Sequence, residues 1–154
     1  MKYDLSILIP ARNEEFLGKT IEDIFKNIRG KTEVIAVLDG YWPNPGLIDD
    51  PRLTVIHFTE SVGQREGTNY AAKLSRAKYL MKCDAHCAFD EGFDVKMMDN
   101  MQDSWTMVPE MRNLHWIFSP NYTVAWRDHF DRNPHLNDFL NFSCYQWRQW
   151  HEYV

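Results

Sequence analysis

Leu5-Ser6-Ile7-Leu8-Ile9-Pro10 is an almost unbroken apolar run. Apolar residues without alternation predict a strand buried on both faces of a parallel sheet. Ala11-Arg12-Asn13-Glu14 is a polar turn at its end. Phe16, Leu17, Ile21, Ile24, Phe25 and Ile28 then recur at helical spacing, and Gly30 is expected to stop that helix. Glu33 to Asp39 predicts a second buried strand that ends in an acid, followed by a loop with glycine and proline from Gly40 to Pro51. Leu53 to Phe58 predicts a third strand, Gln64 to Ala77 a helix, and Lys78 to Cys83 a fourth strand. Phe93, Met97, Met98, Met101 and Trp105 suggest one more amphipathic helix.

The order strand, helix, strand, strand, helix, strand is the alternation of an α/β nucleotide-binding half-sheet, mostly parallel and flanked by helices. In open sheets of this kind, ligands sit beyond the carboxyl ends of the strands. Four polar clusters fall at or near such ends: Arg12 to Glu14, Asp39, Arg65 to Gly67, and Asp84 to His86. That convergence weighs more than any one motif. From about Trp126 the pattern weakens. Trp126 to His135 reads as a loop, and Leu136 to Tyr153 as an aromatic-rich, helix-compatible end that contains Trp147 and Trp150. No linker interrupts the chain, so residues 1–154 are expected to form a single domain.

Composition narrows the function classes. The 154 residues are 44% hydrophobic and 14% aromatic, which suffices for a core. The formal net charge of −5 and the lack of a basic tract argue against a dedicated nucleic-acid surface, whose affinity comes from neutralising phosphates. A modifying enzyme that touches a nucleobase is still compatible. No apolar run approaches the ~20 residues of a membrane span, and the start of the chain does not resemble a signal peptide. Three cysteines make no disulfide framework, so a cytoplasmic location is expected.

The densest chemistry is Cys83-Asp84-Ala85-His86-Cys87. Asp84 and His86 put one oxygen and one imidazole ligand beside the same opening, a donor set that suits a divalent ion such as Mn²⁺ (or Mg²⁺). Cys83, His86 and Cys87 offer zinc ligands instead, but their spacing departs from the usual Cys-x-x-Cys knuckle, and small buried cysteines are the plainer reading. Asp39 either binds a ligand or caps a turn. Arg65-Glu66 is either a binding pair or an exposed helix start.

These segments together resemble a known family. Leu5 to Glu15 (LSILIPARNEE) resembles the first strand and turn of family-two-like glycosyltransferases of the GT-A fold, and Val37-Leu38-Asp39-Gly40 resembles the end of their second strand. Gln64-Arg65-Glu66-Gly67 resembles the Arg-Glu-Gly segment of the polypeptide GalNAc-transferases, and Asp84-Ala85-His86 resembles their Asp-x-His motif. The resemblance implies a nucleoside pocket lined by Pro10, Arg12, Asn13 and Glu14, with Asp39 on the uracil or ribose. It places Arg65 and Gly67 near the sugar or diphosphate, Gly67 letting the backbone come close, and Asp84 and His86 on the metal. The implied donor is a UDP-sugar, and the Asp-x-His form leans towards transfer with retained configuration.

The likeness covers residues 4 to about 110, the expected donor part; 111–154 would be a partial acceptor-side region. No glycine follows Gly92, so the Gly-rich segment of a complete GT-A domain is absent from this sequence. His115, His129 and His135 are candidates for a third metal ligand, none fixed by spacing, and Asp128 and Asp131 are either acids of the family's acidic pair or part of a solvated loop. The expectation is a metal-dependent glycosyltransferase with an unidentified acceptor (protein, glycan or modified nucleobase). The alternatives are a truncated, catalytically idle nucleotide-sugar-binding domain, or a variant completed by homo-oligomerisation. A sugar nucleotidyltransferase would want a glycine-rich loop after the first strand, and Ala11 to Glu15 has no glycine.

Overall fold

The computed structural model describes residues 2–109 and the backbone of a strand at 147–150. Four strands, β1 (Leu5–Ala11), β2 (Thr32–Asp39), β3 (Leu53–Phe58) and β4 (Tyr79–Lys82), form one sheet in the order β3-β2-β1-β4. All three pairings are parallel. β1 and β2 are the central strands, which is why their sequences are apolar on both faces. β3 lies at an edge, and its positions are half-buried or exposed, none fully buried.

Helix α1 (Leu17–Asn27) connects β1 to β2 and covers one face of the sheet. Its Leu17, Ile21 and Ile24 pack with Ile7, Ile9, Val34 and Leu38 in the larger core. α3 (Phe93–Asn100) adds Phe93 and Met97 to that same layer. Helix α2 (Gln64–Leu74) connects β3 to β4 across the opposite face, where Ala71 packs with Leu8, Ile35 and Val37. The chain therefore leaves β1 over one face for β2, and reaches β4, on β1's other side, over the opposite face. The gap between β1 and β4 is the topological switch point, where open α/β sheets form their ligand crevice.

Several expectations shift. α2 ends at Leu74, with Ser75 already extended, and α3 ends at Asn100; both are shorter than the apolar spacing suggested. Gly30 does not act as a left-handed helix stop. α1 ends through extended Ile28, and Gly30 instead lies close against α3, where a Cβ would stand 3.1 Å from Asp94 Oδ2 and 3.2 Å from Met98 Cε. The helix-compatible reading of the chain's end is overturned at residues 147–150. There, β6 (Trp147–Trp150) pairs antiparallel with β5 (Thr106–Pro109). Aromatic residues favour a pleated strand as readily as a helix, and the partner strand decides. His115, Asp128, His129, Asp131 and His135 lie outside the described residues.

A buried acid on α3 ties these layers together. Asp94, 0% exposed, accepts hydrogen bonds from Arg29 N (3.0 Å), Gly30 N (2.8 Å) and Thr32 Oγ1 (2.7 Å). It thereby fixes the turn from α1 into β2.

Candidate functional site at the sheet switch point

The site is built on the carboxyl ends of β1, β2 and β4, which the register aligns. Ala11 stands opposite Leu38, and Leu8 opposite Lys82. Cys83 N continues the ladder to Leu8 O at 3.0 Å, so Asp84 to His86 emerge just past the end of β4. Pro10 is half-buried in β1 opposite Val37, and Arg12 and Asn13 are exposed on the turn beyond it. Asn13 takes a left-handed φ of 54°, a conformation that asparagine tolerates better than most residues. Glu14, the next residue, lies with Oε2 3.3 Å from His86 Nδ1. The loops after β1 and β4 thus meet across the switch point.

Helix α1 anchors the Asp84–His86 loop. Thr20, fully buried, donates through Oγ1 to Ala85 O at 2.9 Å and accepts from Cys87 N at 3.0 Å. Asp23 Oδ2 accepts from Phe89 N at 2.6 Å. Neither residue was singled out in the sequence. The available signal was Thr20's position on the apolar stripe of α1, because a hydroxyl buried there must find partners. Asp84 itself is ion-paired through Oδ1 with Lys82 Nζ, a partner the sequence reading also passed over. Both side chains are part-exposed, where an ion pair contributes little to stability.

Asp39 is 4% exposed and holds the segment that leads into α2. Its Oδ1 accepts from Val62 N at 2.6 Å, and its Oδ2 from Ser61 Oγ at 2.8 Å and Gly63 N at 3.1 Å. Burial pushes the Asp39 carboxyl up, but these three bonds and the positive charge of Arg12 outweigh it and hold the group below the usual carboxylate range. Arg65 is exposed on the first turn of α2. Gly67 faces the sheet: a Cβ there would stand 3.1 Å from Val37 Cγ1, so its lack of a side chain serves helix–sheet contact. Tyr41, just past β2, buries its hydroxyl beside the Glu14 backbone without a well-formed hydrogen bond, and that burial pushes its pKa up.

Asp84 and His86 suit a divalent cation as far as they go, supplying one carboxylate and one imidazole from a single anchored loop. Among the described residues no cluster of three or more His, Cys, Asp or Glu side chains is placed to hold a metal ion. Cys83 and Cys87 are free thiols buried in the larger core. Burial pushes the Cys83 thiol well up, which keeps it a neutral packing group and donor to Asp84 O at 3.0 Å. Cys144 lies outside the described residues. Among the described residues, no helix is long and apolar enough to cross a membrane.

Residues 6–147 match the model of glycosyl transferase family 2. No curated protein matches the sequence. Among solved structures, the chain is similar to that of S. aureus TarS, with 15% identity and a TM-score of 0.57, over 76% of this chain and 23% of that one. It is likewise similar to S. aureus TarS 1-349, with 16% identity and a TM-score of 0.57, over 76% of this chain and 38% of that one. The chain therefore spans well under half the length of either. At these identities the likeness speaks for the fold, and with the family match it makes the architecture an α/β GT-A fold.

Proposed function

Because the chain belongs to glycosyl transferase family 2, we propose that it binds a UDP-sugar at the switch point and transfers a hexosyl or N-acetylhexosaminyl group to an acceptor. The observation that carries this reading is the meeting of the loops after β1 and β4, with Glu14 against His86, next to an Asp39 held under the influence of Arg12. In this reading the exposed Arg12 and Asn13 line the nucleoside side, and Asp39 shapes it by fixing residues 61–63. Arg65, at the start of α2, adds positive charge where the diphosphate would lie.

Asp84 and His86 would hold Mn²⁺ or Mg²⁺, with diphosphate oxygens and water among the remaining ligands. When bound, a divalent ion there supplies neutralisation of the charge that builds on the leaving UDP. The Thr20 clamp contributes placement, because it fixes the backbone on both sides of His86 and so reduces the reorganisation that binding requires.

The test is a thermal-shift and calorimetric titration with UDP and UDP-sugars, with and without Mn²⁺. A ligand at about 100 times its Kd raises native stability by about 2.7 kcal/mol. That shift is expected only with the metal present and is removed by chelator. Asp84→Asn and His86→Ala should weaken it without unfolding the protein, since these side chains are 36% and 55% exposed. No UDP affinity in the presence of Mn²⁺ would reject the donor assignment. Metal-dependent binding without sugar transfer or UDP-sugar hydrolysis would support the idle-binder alternative.

A further inference from the structure

Glu14 and His86 lie 72 residues apart in sequence and approach from opposite sides of the switch point. Each backbone is anchored separately from the contact. The left-handed turn at Asn13, past the end of β1, sets Glu14, and Thr20 holds the residues on either side of His86. The side chains then meet through one pair of atoms, Glu14 Oε2 and His86 Nδ1, at 3.3 Å.

A carboxylate only accepts hydrogen bonds, so this contact requires a proton on Nδ1. In the neutral imidazole, Nε2 then carries the lone pair. A free histidine side chain in water favours the opposite tautomer, with the proton on Nε2. We infer that Glu14 is a positioning residue that reverses this preference and commits Nε2 as the coordinating nitrogen of His86. That Nε2 meets a divalent cation rests on the function proposed above; the tautomer is a property of the chain alone. A carboxylate that accepts the other ring proton of a ligating histidine also raises the basicity of that ligand. This assignment turns Glu14 towards His86, whereas the family resemblance assigned it to the nucleoside.

The direct test is long-range ¹H–¹⁵N correlation NMR of the histidine rings in metal-free protein, recorded in mildly alkaline buffer. His86→Ala identifies the His86 signals. The parent should give the Nδ1–H pattern. Glu14→Gln should keep it, because the amide oxygen still accepts, and Glu14→Ala should revert to the Nε2–H pattern. A parent spectrum dominated by Nε2–H, or an unchanged pattern in Glu14→Ala, overturns the inference. With Mn²⁺ and UDP as the probe, Glu14→Ala should bind about 10–100-fold more weakly than the parent, the usual cost of losing such a partner. Undiminished affinity in Glu14→Ala would also overturn the positioning role. Absence of Mn²⁺–UDP affinity in the parent itself would instead count against the proposed donor site, with the NMR result still deciding the tautomer.

Discussion

Asp39 is the residue whose chemistry can be read most directly from its surroundings. Its two oxygens accept three hydrogen bonds from residues 61–63, so the acid that ends β2 also organises the entry to α2. Asp39→Asn replaces one accepting oxygen with an amide that cannot accept from Ser61 and Gly63. A loss of about 1–3 kcal/mol is expected at neutral pH. The pH dependence has a defined sign. The folded-state pKa lies below the ordinary 3.8, so the stabilisation is present above 3.8 and is lost as pH falls through the lowered value. Denaturant titrations of both proteins from neutral pH downwards should converge only below about that point. A difference that stays constant into strong acid would refute the role of the charge. Asp50, held at about 2 by its hydrogen bonds to the Arg52 side chain and backbone, titrates in the same acid window, but it does so in both proteins and cancels.

At the scale of elements, Gly67 separates two readings that the sequence left together. Gly→Ala inside a helix ordinarily gains about 1 kcal/mol. Here the new methyl would meet Val37 Cγ1 at 3.1 Å, and Val37 is fully buried in the middle of the sheet. Gly67→Ala should therefore lose most or all of that gain. In a Val37→Ala background the same substitution should recover it, giving a coupling that a double-mutant cycle measures by chemical denaturation. Equal effects in both backgrounds would remove the packing explanation. The segment illustrates what was legible in the chain. The Arg65-Glu66-Gly67 string was visible as a strand-end cluster, but which side of α2 its glycine faces depends on where the helix lies on the sheet. The same holds for Thr20, visible only as a polar residue on an apolar stripe until the loop it clamps is in place.

Across the whole molecule, Asp94 links the helix after β4 to the turn before β2, over 62 to 65 positions of sequence. Asp94→Ala would leave the part-buried amides of Arg29 and Gly30 and the buried Thr32 hydroxyl without their acceptor. A loss of about 3 kcal/mol or more is expected, because bonds to a charged acceptor are the stronger kind and orphaned donors add a penalty. Thermal and urea midpoints should both fall, and an Asp94→Ala protein as stable as the parent would show that the turn is held by other contacts. The site at the switch point depends on this scaffold. β1 can present Glu14 to His86 only because α1 and α2 cross on opposite faces of the sheet and leave β1 between β2 and β4.

The chain by itself determined the alternating elements, the parallel character of the sheet and the clustering of polar residues at strand ends, because burial on both faces writes continuous apolar runs into the sequence. It also determined that Asp84 and His86 leave β4 together, since they are separated by one residue. Only the tertiary structure decided that Glu14 faces His86, that Thr20 clamps the loop that carries His86, that Gly67 faces Val37, and that residues 147–150 pair as a strand with 106–109. These are contacts between distant segments. Their partners are chosen by strand order and helix placement, and no local periodicity records them.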